Sequence, residues 1–172
     1  ISPEYIRKVV VPAIKICIEI STGTVVATGA KCISDYPSPD SFGVIYSPNA
    51  NGMQKFGIAD ACPLFYYGKN PSKSNWMKPC SFVSQEDCRN LKNIGHPCPK
   101  PIKVWTRLLM MVTNNKQLVL DPFMGSGTTG VACVRTGRRF IGIEIEKKYC
   151  DIADRKSTRL NSSHVSESRM PS

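Results

Sequence analysis

The chain has 172 residues, a formal charge of +10 at neutral pH and eight cysteines. That length suits one domain, and the basic balance suits a polyanionic partner such as DNA or RNA, or simply a basic surface. No apolar stretch reaches the ~18 residues of a membrane span, no five like charges run together as a basic tail, and no Cys-x-x-Cys pair marks a zinc or redox site.

In chain order, Pro3 to about Glu19 reads as a helix. Ser2 caps it, Pro3 suits its first turn, Glu4 favours its positive end, and Pro12 predicts a kink or a break. The turn Ser21-Thr22-Gly23 leads into a short buried strand, residues 24–29. Residues 34–55 are rich in Pro, Ser, Asn and Gly and read as loop, with a short strand at Phe42–Tyr46. Residues 61–67 read as another strand, closed by Gly68-Lys69-Asn70-Pro71, and 72–95 are polar and irregular. Pro101 leads a helix to Val112, with Ile102, Trp105, Leu108, Leu109 and Val112 in one stripe. Next come a strand at 117–120, a glycine turn, a helix at 127–136 stopped by Gly137, and a strand at 140–143. A further helix starts between Tyr149 and Ala153. Cys17 and Cys133 fall in apolar helical runs, where a thiol packs as a small hydrophobe. Cys88, His96 and Cys98 fit no common zinc spacing, so no metal is expected.

The glycine turn carries the chemistry. It reads Asp121-Pro122-Phe123-Met124-Gly125-Ser126-Gly127-Thr128-Thr129-Gly130. Gly125 and Gly127 let backbone approach a ligand closely, and the helix behind them offers unpaired N–H groups. No Gly-Lys-Ser/Thr follows, so this is no P-loop. Asp121 repels phosphate and attracts an ammonium. Glu144, nineteen residues past Gly125, stands where an acid binds ribose hydroxyls. A ligand with an amino-acid end and a ribose satisfies both, which points to S-adenosylmethionine. A lone Gly-x-Gly is otherwise a packing turn; here the two acids agree with it in spacing.

These residues, with Gly137-Arg138-Arg139-Phe140-Ile141-Gly142-Ile143-Glu144 and Tyr149, resemble the S-adenosylmethionine site of the DNA amino-methyltransferases that act on adenine N6 or cytosine N4. His96-Pro97-Cys98-Pro99-Lys100-Pro101 is similar to that family's His-Pro-Thr-x-Lys-Pro element, with Cys98 in place of the usual Thr. Phe65-Tyr66-Tyr67-Gly68-Lys69-Asn70-Pro71 resembles the segment before its target-reading region. The resemblance implies an α/β fold, an incomplete doubly wound Rossmann-like methyltransferase sheet. It implies a cofactor site made of His96, Pro97, Lys100, Asp121, Pro122, Phe123, Gly125, Ser126, Gly127, Thr128 and Glu144. It also implies double-stranded DNA as partner; the irregular stretches 34–58 and 70–95, with Lys55, Lys69, Lys73, Lys78 and Arg89, read either as the loops that contact its bases or as ordinary solvated loops. Tyr36 and Trp76 would stack on DNA or cover the core. A partner restriction nuclease and a cytoplasmic setting fit the family.

The motif order resembles the permuted class, whose catalytic Asp/Asn/Ser-Pro-Pro-aromatic tetrapeptide precedes both elements. No such tetrapeptide occurs in the 172 residues, so no catalytic residue is assigned. That tetrapeptide matters because its acceptors localise the lone pair of an otherwise poor amino nucleophile, while its aromatic stacks on a flipped base. The expectation is therefore an inactive, marginally stable fragment: a partial methyltransferase domain over 1–153, with its cofactor-binding part at 96–153. An RNA guanine methyltransferase and a non-catalytic binding module are the alternatives. The stretch 156–172 has no helical or strand period; with Asp154 and Arg155 before it, it resembles a translated sequencing-library adapter and is expected to be a non-native tail.

Overall fold

The computed structural model describes residues 2–29, 32–48, 60–70, 80–84 and 100–156, together with the backbone of 52–54 and 57–59. The chain divides into two compact units, residues 1–87 with 111–113, and residues 88–110 with 114–172.

The first unit opens on one helical run in three parts: α1 (Pro3–Tyr5), a π-helical segment (Ile6–Val10) and α2 (Val11–Ile20). Ser2 caps it as its sequence suggests, its hydroxyl accepting from the Tyr5 N–H at 3.2 Å. Pro12 does not break the helix. It has no N–H to give, and the turn before it widens instead, the Val11 N–H bonding back to Ile6. Pro12 thereby sits in the first turn of α2, where its missing donor costs nothing.

Four strands form the sheet of this unit: β1 (Gly23–Ala27), β2 (Ser41–Tyr46), β5 (Ala61–Gly68) and β6 (Phe82–Val83), in the order β1-β5-β2-β6. β5 is antiparallel to both its neighbours, with Val25 opposite Tyr66 and Gly43 opposite Leu64. The short β6 lies parallel to β2. Gly43 is required by close approach, since a Cβ there would strike the Cys80 carbonyl. Leu64 and Phe65 lie in the core, with Tyr36 edge-on to Phe65 at 6.1 Å. A separate hairpin, β3 (Gly52–Gln54) with β4 (Gly57–Ala59), occupies part of the stretch that composition marks as loop.

The second unit contains most of α3 (Ile102–Val112), then β7 (Leu118–Asp121), α4 (Thr128–Arg135), β8 (Arg139–Gly142) and a last helix, α5, at 147–156. β7 and β8 are parallel, with Val119 beside Phe140 and Asp121 beside Gly142. A crossover helix is what a parallel pair needs, and α4 supplies it. Ala132 and Cys133 of α4 pack with Leu109 of α3 to form this unit's core, against Ile102, Val119 and Phe140. The strand, turn and helix read at 117–136 are thus present within a residue or two. Gly137 ends α4 in the left-handed region at φ 68°.

Candidate cofactor site at the glycine turn

The site lies where β7 ends. Parallel strands deliver their carboxyl ends to the same edge, so β7 brings Asp121 and β8 brings Glu144 to one turn. Asp121 clamps both sides of that turn. One carboxylate oxygen accepts from the Phe123 N–H at 3.0 Å, and the other from the Thr129 hydroxyl at 2.6 Å in the first turn of α4. The Met124 N–H donates to the Ile143 carbonyl at 3.1 Å, and the Gly127 N–H to Met124 at 2.9 Å, so the loop is bonded to the strand beside it and to itself.

Gly125 and Gly127 both take positive φ, 51° and 77°. Side-chain-bearing residues avoid this region, which explains the two glycines. Gly127 has a second reason: a Cβ there would lie 2.6 Å from the Ala153 Cβ of α5. α5 is pressed against the turn a second time by Lys156, whose ammonium donates to the Ser126 carbonyl at 2.9 Å. Burial lowers the pKa of that ammonium. Ser126 and Gly127 are buried beneath the turn, while Phe123 is exposed.

Glu144 reaches back across the turn. One of its oxygens accepts from the Gly125 N–H at 3.0 Å and the other from the Glu146 N–H at 2.9 Å. The acid and the glycine, nineteen residues apart in the chain, are in direct contact. The N-cap of α4 is Gly127, which has no side chain to cap the first turn. The helix start therefore faces the turn with its dipole unmasked by a capping side chain.

The structure thus brings together Asp121, Pro122, Phe123, Gly125, Ser126, Gly127, Thr128 and Glu144. The described contact of Lys100 is with Trp105, its ammonium 5.7 Å from the ring centre. His96, Pro97 and Cys98 lie outside the described residues. So do Lys55, Lys73, Trp76, Lys78 and Arg89; of the cations expected to meet DNA, Lys69 is described and exposed. Sequence reasoning passed over Thr129, although its hydroxyl holds Asp121. The signal was a second Thr at the start of a helix, one position beyond the one chosen.

Among the described residues no group of His, Cys, Asp or Glu could hold a metal ion, and no helix is long and apolar enough to cross a membrane. Among the described residues, Cys17, Cys32, Cys62, Cys80, Cys133 and Cys150 form no disulfide with one another.

Residues 45–155, well over half of the chain, match the family model described as DNA methylase, of N6 and N4 type. The chain belongs to this DNA methylase family. It is similar to the type II methyltransferase M2.LlaDCHI of Lactococcus lactis subsp. cremoris, 48% identical over 61 residues, which are 36% of this chain and 23% of that protein. M2.DpnII of Streptococcus pneumoniae is 49% identical over 61 residues, again 36% of this chain and 23% of that protein. The matched stretch therefore spans less than a quarter of these curated relatives. The crystal structure of M1.HpyAVI superposes with a TM-score of 0.61 at 25% identity, covering 78% of this chain and 71% of that one. The structure of the M1.HpyAVI–SAM complex gives 0.59 at 24%, covering 78% and 73%.

Proposed function

We propose that this chain is the cofactor-holding part of a site-specific DNA methyltransferase, acting on the exocyclic amino group of adenine or cytosine. The observation that carries the proposal is the contact of Glu144 with Gly125 across a turn clamped by Asp121. Family membership supports the substrate class. The doubly wound arrangement rests on the parallel β7-α4-β8 unit and on the likeness to M1.HpyAVI.

The donor set fits S-adenosylmethionine. An ionised carboxylate offers about four lone-pair sites. The described bonds use two on Asp121 and two on Glu144. Glu144 keeps capacity for ribose hydroxyls and Asp121 for an ammonium. Phe123 offers an exposed ring beside the turn, and Gly125, Ser126, Gly127 and Thr128 offer backbone. Pro122 stiffens the chain leaving β7. His96, Pro97 and Lys100 are assigned to the methionine side by motif alone. When bound, the cofactor supplies a methyl group already activated by its sulfonium. The protein's task is then to hold that group in line with the nucleophile, which accounts for much of the rate in such transfers.

With no Pro-Pro-aromatic tetrapeptide in its 172 residues, the chain by itself holds cofactor without transferring methyl groups. Its double-stranded DNA contacts fall to the stretches 34–58 and 70–95, and a cytoplasmic setting with a cognate nuclease follows from the same reading. A binding-only module is the second reading, favoured by that same missing tetrapeptide. Equilibrium dialysis with labelled S-adenosylmethionine tests the site. Binding that falls at least tenfold in Glu144→Ala is expected; no binding, or equal binding by the variant, sinks the proposal. Methyl transfer to unmethylated DNA by this chain alone would show that another group does the tetrapeptide's work.

A further inference from the structure

Thr129 and Thr136 mark the two ends of α4 and use their hydroxyls differently. Thr136 does what a helical threonine ordinarily does, donating back to the carbonyl four residues earlier, Ala132, at 2.6 Å. Thr129 leaves its own helix. Its hydroxyl donates across eight residues to Oδ2 of Asp121, also at 2.6 Å. That length is typical of a charge-assisted bond to an ionised carboxylate.

The two acids of the turn are also held differently. Both described Glu144 bonds come from backbone, the Gly125 and Glu146 N–H groups, which ordinary side-chain substitution does not remove. Asp121 has one backbone donor, the Phe123 N–H on Oδ1, and Pro122 between them has no N–H to add a second. Its other described bond is the Thr129 hydroxyl. With Phe123 alone the carboxylate would keep one anchor and could turn about its Cβ–Cγ bond, a torsion with broad minima. With both donors each oxygen is fixed, and the lone pairs left over keep one direction. The orientation of Glu144 is therefore built into the backbone, whereas that of Asp121 depends on a single replaceable hydroxyl.

We propose that Thr129 is a positioning residue for the amino-acid end of the cofactor. By fixing the Asp121 carboxylate it sets how tightly the ammonium is held, while the ribose end, held by Glu144, does not depend on it. The proposal deepens the S-adenosylmethionine reading of this turn and rests on it.

The test titrates the full chain calorimetrically with two probes, S-adenosylmethionine and 5′-methylthioadenosine. The second keeps the adenosine and the sulfur but has no amino-acid end. Thr129→Val should weaken S-adenosylmethionine about tenfold, the loss expected for one hydrogen bond to a charged group, and leave 5′-methylthioadenosine unchanged. Unchanged binding of the second probe also shows that the variant's turn is folded. Thr129→Ser, which keeps the hydroxyl, should restore S-adenosylmethionine binding. Thr129→Ala, judged by the same comparison, covers the case in which valine disturbs the turn. Glu144→Ala should weaken both probes, and Thr136→Val, which removes the helix-bound hydroxyl, should weaken neither.

Equal weakening of both probes by the Val and Ala variants overturns the proposal, because Thr129 would then only stiffen the turn. Unchanged S-adenosylmethionine binding in those variants overturns it too, as does a Ser variant no better than Val. A wild-type chain that binds S-adenosylmethionine but not 5′-methylthioadenosine also overturns it, since the two ends would not be held separately. In each of these cases the cofactor reading stands. A wild-type chain that binds neither probe sinks that reading and the proposal with it.

Discussion

The antiparallel sheet β1-β5-β2-β6 and the parallel pair β7–β8 use glycine and carboxylate in similar ways to different ends. In the first, Asp40 accepts from the Gly68 N–H at 2.7 Å, and Gly68 takes φ 78° to close β5. In the second, Asp121 and Glu144 hold a turn containing Gly125 and Gly127. Antiparallel neighbours send consecutive strand ends to opposite edges, so the carboxylate there does no more than finish a strand. Parallel neighbours send both ends to one edge, and two acids meet over the start of a helix. The strand direction, more than the residue types, separates a structural turn from a candidate site.

The largest effect that would test this comparison comes from the glycines. Gly127→Val forces a side chain into left-handed backbone and against Ala153, and should cost roughly 3 kcal/mol or more. Cofactor binding should vanish with it. Gly43→Ala drives a Cβ into the Cys80 carbonyl and should destabilise the first unit while sparing cofactor binding. Urea titration with dialysis checks both; loss of binding in Gly43→Ala would break the comparison.

Next come the carboxylates. Asp121→Ala removes two hydrogen bonds from a half-buried charge and should lower stability by about 2 kcal/mol, whereas Asp40→Ala should cost about 1 kcal/mol or less. Equal losses would mean that the turn is not clamped as described.

A smaller effect follows from Cys133. Burial pushes its thiol up to about 11 from an ordinary 9.0, with the Arg138 charge opposing and Asp121 adding to the rise. A group with a raised folded pKa contributes fully below its unfolded value and loses that contribution as pH rises. The second unit should therefore weaken between about pH 9 and pH 11, and Cys133→Ala should flatten the stability curve over that window. Site-resolved thiol labelling adds a sharper check, with exposed Cys80 modified long before Cys133.

The smallest effect belongs to the exposed ion pairs Arg7–Asp35 and Lys8–Glu4. Arg7→Ala or Lys8→Ala should leave the unfolding midpoint unchanged within error, because solvent screens such pairs.

Much of the second unit was legible in the chain. The apolar run before Asp121, the glycines, the helical stretch and the acid at 144 are linked by short loops, and local preference governs such segments. Ser2, Gly137 and the β5 strand were readable for the same reason. Less was legible in the first unit. The β3–β4 hairpin hides in a stretch that composition marks as loop, and β6 is two residues long. A pairing so short has no periodicity of its own and exists because β2 offers an edge. Pro12 signalled a disturbance correctly, but only the surrounding helix determined that it would be a widened turn. Tyr36, readable either as a stacking residue or as core cover, lies against Phe65 because β5 brings that ring beneath it.

The sequence by itself determined the turn, its two glycines and the spacing that sets Glu144 nineteen residues beyond Gly125, since these depend on backbone chemistry within one βαβ unit. Only the tertiary structure decided that Glu144 bonds the Gly125 N–H, that Thr129 rather than a neighbour holds Asp121, that α5 presses Ala153 and Lys156 against the turn, and that Leu118, Leu120 and Ile141 face outward. Each of these depends on which segment lies beside which, and lateral packing between distant stretches leaves no periodic trace in either of them.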